Sequence, residues 1–230
     1  MIKVIGAGQL AKSFQGITGG DVMILASGVS DSNCKDDVQF KREEKLLLET
    51  MKDNLDKKFV YFSSCALSAK DYELNEYYRH KQKMENLIKQ YSDNYYIFRI
   101  PQLFGSLIHH KTLINFIYES IVNEDEFFVY DEAYRYVIEI GDVRKIVEQY
   151  LLLEKNNIVV DIANPYRYKV IEIVKIFEKL LNKKAHYEIV QREDKYTLDL
   201  SQMQIFIKKH KLNLEFGENY LINKLKEKLS

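Results

Sequence analysis

Short apolar runs alternate with stretches of helical period along most of this chain. Ile2–Ile5 predicts a first strand, followed by a turn at Gly6-Ala7-Gly8 and a helix through about Gln15. Residues 21–26 (Asp-Val-Met-Ile-Leu-Ala) predict a second strand, after the turn Ile17-Thr18-Gly19-Gly20. Phe40, Leu47, Leu48, Met51 and Leu55 recur at helical spacing, with Lys41, Arg42, Glu43 and Glu44 leading in, so an amphipathic helix is expected over 40–55. Phe59–Phe62 is a buried-type strand that stops at Ser63-Ser64, and a helix with Met84, Leu87 and Ile88 on its core face runs to about Tyr91. Residues 95–100 form another strand, ended by Pro101, which cannot donate into a ladder. Beyond it the pattern predicts a helix over 113–121, short strands at 126–130 and 135–140, and a helix capped by Asp142 that runs to about Leu153. A strand at 158–163, a helix at 170–181 and a strand at 187–190 follow. A helix should begin at the capping box Ser201-Gln202-Met203-Gln204, and Leu221, Leu225 and Leu229 mark the last one. Such alternation is the signature of an α/β fold with a parallel, helix-covered sheet.

Composition narrows the class without naming a partner. The 230 residues, 46% of them hydrophobic, suffice for one sizeable domain with a minor lobe. Lys and Arg number 34, as do Asp and Glu, so no net field favours nucleic acid or an anionic membrane. No run approaches the ~18 apolar residues of a membrane span. Met1 leads straight into a strand without a basic leader segment, and a cytoplasmic location is expected. Cys34 and Cys65 are too few for a disulfide framework or a zinc site, and the five His show no ligand spacing, so no metal is expected.

Three stretches carry candidate chemistry. Gly6-Ala7-Gly8-Gln9-Leu10-Ala11 has Gly-x-Gly-x-x-Ala spacing between a strand and a helix, the context in which backbone N–H groups hold a pyrophosphate. Ser63 and Ser64 stand at the carboxyl end of a strand, where open α/β sheets place their ligands; a pair of turn serines reads equally well. Tyr77 and Lys81 are four apart on a helix and share a face. A cation there lowers a phenol pKa and makes the Tyr a proton shuttle. In a chain with 17 Tyr, the spacing also fits a plain solvated helix.

Taken in register, these residues resemble the extended branch of the short-chain dehydrogenase/reductase superfamily, the NAD-dependent epimerase/dehydratase group. The Gly6–Ala11 turn resembles its phosphate-binding turn, and the strand ending at Ala26-Ser27-Gly28 resembles its Leu-Ala-Ala strand. The strand ending at Ser63-Ser64 resembles the one that delivers the catalytic Ser or Thr, and Tyr77-x-x-x-Lys81-x-x-x-Glu85 resembles the catalytic helix. Arg99-Ile-Pro-Gln102-Leu-Phe-Gly, Arg135 to Val143, and Asp161-Ile-Ala-Asn-Pro resemble later segments of the group. The first turn is one residue shorter than is usual there. The residues after Ala11 also run directly into what resembles the fourth strand, so the second and third strands, which form the adenosine pocket, are expected to be missing.

The resemblance implies a Rossmann-like sheet of reduced strand number with a small C-terminal substrate lobe. The core would comprise 1–104 and 136–164, and the lobe 105–135 and 165–230. It implies Tyr77, Lys81 and Ser64 as catalytic residues. It implies NAD or NADP held by Gly6, Gly8, Gln9, Leu10, Ala11, Ala26, Ser27 and Lys81, with Lys81 on the nicotinamide ribose. A nucleotide-sugar substrate would meet Ser64 and Gln102, with Arg135 on its diphosphate or, on the plainer reading, in a surface salt bridge. Ser64-Cys65-Ala66 offers no carboxylate, which ranks a 4-epimerase or keto-sugar reductase of surface polysaccharide biosynthesis above a dehydratase. A homodimer is implied. The shortened nucleotide half supports a rival: a cofactor-poor, non-catalytic relative that binds a nucleotide or sugar as sensor or scaffold.

Overall fold

The computed structural model describes residues 2–17, 20–54, 56–70, 72–108, 112–153 and 156–230. Thr18 and Gly19 of the predicted turn, Leu55 at the end of the predicted helical stripe, and Asp71 lie outside the described residues. In chain order the elements are β1 (Ile2–Ile5), α1 (Gln9–Ser13), β2 (Val22–Leu25), α2 (Asp37–Lys52), β3 (Lys58–Ser64), α3 (Glu76–Tyr91), β4 (Tyr95–Ile100) and β5 (Gln102–Phe104). Then come α4 (Leu113–Asn123), β6 (Glu126–Arg135), β7 (Val137–Glu139), α5 (Ile140–Leu153), β8 (Ile158–Asp161) and β9 (Tyr168–Lys169). The chain ends with α6 (Val170–Leu181), β10 (His186–Asp194), α7 (Ser201–His210) and α8 (Tyr220–Leu229).

These elements form two compact units. The first comprises Met1–Ile100, Ile140–Ile162 and Leu198–Leu212. Its sheet has five parallel strands in the order β1-β2-β3-β4-β8. Central strands β2 and β3 are apolar runs buried along their length, as strands covered on both faces must be. Alternation across β3 and β4 sends Phe59, Tyr61 and Ile97 towards Leu47 and Met51 of α2 and Met84 and Ile88 of α3. Phe62 and Phe98 point the other way, where Phe98 meets Tyr150 of α5 edge-on and Tyr150 stacks on Phe206 of α7 at 3.7 Å. Helix α2 is capped by the Asp36 carboxylate, which accepts from the Val38 N–H, and α3 by Asn75, which accepts from the Tyr78 N–H.

The strand order matters more than the strand count. A doubly wound sheet reverses direction beside its first strand, and the crevice at that reversal is where a dinucleotide lies. Here the order runs one way from β1, which forms the sheet edge and is only half-buried where β2 is fully buried. The expected loss of the second and third strands is therefore realised among the described residues, and the reversal goes with them.

The second unit comprises Pro101–Glu139, Ala163–Thr197 and Asn213–Ser230. It holds a parallel β5–β7 pair and a three-stranded sheet ordered β10-β6-β9. Its own core is built from α4, α6 and α8, with Ile117, Ile121, Ile173, Phe177, Leu221 and Leu225 packed against Phe127 and Val129 of β6.

Three expectations need correcting. Residues 198–212 belong with the first unit and not the C-terminal lobe, because Phe206 stacks on Tyr150. Ser201 is the first residue of α7, not its cap, and its N–H donates to Asp199. Residues 126–135 form one long strand, since β10 pairs along it.

Candidate functional site

Helix α3 turns Tyr77, His80, Lys81, Met84, Glu85 and Ile88 inward, so the Tyr77/Lys81 face is buried and not solvated. The two side chains lie on one side, with Lys81 Nζ 5.6 Å from the Tyr77 ring centre. The ammonium is already committed. It donates to Glu43 Oε1 at 2.8 Å and to the Tyr61 hydroxyl at 3.1 Å, and Tyr61 in turn donates to the same Glu43 oxygen at 2.7 Å. The other Glu43 oxygen accepts the Val29 N–H at 2.8 Å and lies 3.0 Å from His80 Nε2, whose ring stacks on Phe40. Gly28 passes directly over this pair: a Cβ there would come 2.5 Å from Glu43 Oε1 and 2.6 Å from Lys81 Nζ.

Electrostatics follows from that geometry. Burial alone would raise the Glu43 carboxyl, but the Lys81 ammonium, His80 and the Val29 N–H outweigh it and hold the group well below the usual carboxylate range. Tyr77 moves the other way. Burial, reinforced by the Glu43 charge, pushes its phenol up. The lowered phenol expected from Lys81 is thus not found, because burial dominates and the Glu43 charge acts in the same direction.

A depressed carboxyl stabilises the fold above its unfolded pKa and loses that contribution as pH falls towards the folded value. Glu85, lowered by Arg99 against the same burial penalty, adds in the same sense. Urea titrations should give a steady loss of unfolding free energy below about pH 4.5, the unfolded value of both groups. The decline should be shallower in Glu43→Gln.

At the carboxyl ends of β3 and β4 a second network closes. Ser64 Oγ accepts the Ala66 N–H at 3.3 Å, which caps a short 3-10 turn over Cys65–Ser68, and Ser63 is buried. Arg99 grips both oxygens of Glu85, at 2.8 and 2.7 Å, and donates to Ser68 Oγ, which donates to Asp161. The strand segment around Arg99 and the Tyr77–Glu85 helix are thereby pinned together.

The glycine turn is tight. Gly6 has φ of +142°, and a Cβ on it would sit 2.3 Å from the Ala26 carbonyl oxygen and 2.9 Å from the Ala11 side chain. Ala26 closes the approach by donating its N–H to the Ile5 carbonyl. Ala11 is fully buried, Leu10 accepts from Ser13, Gln9 and Ser27 are half-buried, and exposed Gly8 has open space where a Cβ would stand. Helix α1 spans only five residues, so little dipole stands behind the turn. Gly6→Ala should destabilise the protein by about 2–4 kcal/mol, through strain and a backbone clash, read as a lowered urea midpoint.

Of the residues expected to meet substrate, Gln102 lies in β5, its N–H donating to Tyr136. Arg135 is paired with the Asp194 carboxylate and also donates to the Tyr134 and Asp194 carbonyls, tying β6 to the end of β10. Both ends of that guanidinium thus have partners within the second unit.

Among the described residues, no group of His, Cys, Asp and Glu could hold a metal, and no helix is long and apolar enough to cross a membrane. Cys34 and Cys65 are buried free thiols.

This architecture is a Rossmann-like α/β fold. Similar solved structures include UDP-glucose 4-epimerase of Thermus thermophilus in complex with NAD (13% identity, 91% of this chain, 78% of that chain, TM-score 0.71). DesIV, the dTDP-glucose 4,6-dehydratase of Streptomyces venezuelae with NAD and TYD bound, matches at 14% identity over 96% of this chain and 74% of that one, TM-score 0.73. dTDP-4-dehydrorhamnose reductase of Bacillus anthracis in complex with NADP matches at 13%, over 90% and 79%, TM-score 0.70. No family model and no curated protein sequence matches the chain.

Of the features the resemblance assigns to a dinucleotide, Lys81 is paired with Glu43, and among the described residues the sheet has no reversal beside β1.

Proposed function

We propose that this protein binds a nucleotide-activated sugar without a redox dinucleotide, as a sensor or scaffold on the fold of nucleotide-sugar enzymes. The observation that carries this reading is the Lys81–Glu43 pair, which occupies the ammonium that dinucleotide chemistry would need. Among the described residues the first unit's sheet runs one way from β1 with no reversal, while the second unit has a core of its own. That pattern supports retained sugar recognition. Calorimetric titration of the purified chain tests it: UDP-glucose or dTDP-glucose should bind, and NADH and NADPH should not. Dinucleotide binding with no response to the sugar nucleotides would reverse the assignment.

A second reading is an NAD(P)-dependent epimerase or keto-sugar reductase using Ser64, Tyr77 and Lys81. It is favoured by the placement of Tyr77 and Lys81 on one side of α3. Retained or exchangeable nicotinamide in the purified protein would support it. In either case, α2 and α3 are the helices proposed to join two copies, which sedimentation would reveal.

A further inference from the structure

Glu43 is the charged residue of the cluster that no motif explains. It lies on α2, is fully buried, and its two oxygens meet Lys81, Tyr61, Val29 and His80. A carboxylate withdrawn from water persists only when its lone pairs are answered in this way. Its partner Lys81 is equally enclosed, and the chain above them narrows to Gly28, with no room for a Cβ.

A ribose presents a neutral diol to an ammonium; Glu43 presents a full negative charge and two oxygens already in place. To displace it, a diol would have to leave a buried carboxylate without its cation, a cost that one hydrogen bond does not offset. We infer that Glu43 is a specificity-determining residue of this site: its carboxylate takes the place of a ribose on Lys81 and so excludes a nicotinamide dinucleotide. This rests on the reading above, that the chain works without one.

The test is a fluorescence titration with NADH of the full chain, of Glu43→Gln, and of Glu43→Gln/Lys81→Met, each checked for folding by circular dichroism. The wild type should show no saturation. Glu43→Gln should bind at least about tenfold more tightly, the worth of one charge-assisted hydrogen bond, and the double variant should lose the gain. A folded Glu43→Gln that binds no better overturns the role of Glu43 and leaves the dinucleotide-free reading standing. Saturable NADH binding by the wild type overturns both. Should Glu43→Gln fail to fold, acetic anhydride labelling of the wild type decides the question: Lys81 should stay unmodified while Lys45, whose side chain is 76% exposed, reacts. Labelling of Lys81 at the rate of Lys45 would refute the inference.

Discussion

Replacing Lys81 by methionine should lower the unfolding free energy by about 3–5 kcal/mol, the range for removing one partner of a buried pair. The Lys81 and Glu43 side chains are 3% and 1% exposed, so neither charge has water to fall back on. Methionine fills the space of the aliphatic stem but leaves Glu43 with only Tyr61, Val29 and His80. The companion variant Glu43→Gln/Lys81→Met removes both charges and should recover most of the loss, because the penalty lies in the orphaned charge and not in the absent bond. Chemical denaturation of the two single variants and the double completes the cycle. Near-additive losses would mean that the pair is solvated in solution and that the lysine is available to a ligand.

The second large effect is expected at Arg99. Its guanidinium holds Glu85 with both forks and Ser68 with a third bond, in a setting where Glu85 is only 2% exposed and Asp161 is pushed up by burial. Arg99→Leu should cost about 3 kcal/mol, since the buried Glu85 and the half-buried Asp161 lose that cation together. Adding Glu85→Leu to it should return part of that loss. Because the network joins α3 to β4, hydrogen exchange should also speed up along both elements in the single variant.

Much of the first unit was legible in the chain because its strands are unbroken apolar runs and its helices carry regular stripes, both purely local signals. The missing strands were legible too, since the turn at Gly6 is followed so soon by the strand of Val22–Leu25 that only one helix and a turn fit between. What escaped was tertiary. Glu43 reads as part of a charged lead-in, yet it lies in phase with Phe40, Leu47 and Met51 and is buried with them. A carboxylate on an apolar stripe needs a buried cation, and that phase was the available clue to Lys81. Nothing local could reveal that Arg135 would be taken by Asp194, 59 residues away. Helix α7 is tied to the first unit by an equally non-local contact, the stack of Phe206 on Tyr150.

A crystal of the wild-type chain soaked with NADH tests the central claim most directly. No dinucleotide should be visible above the Gly6 turn, and Lys81 should remain on the Glu43 carboxylate. A nicotinamide ribose seated on Lys81, with Glu43 turned away, would contradict it.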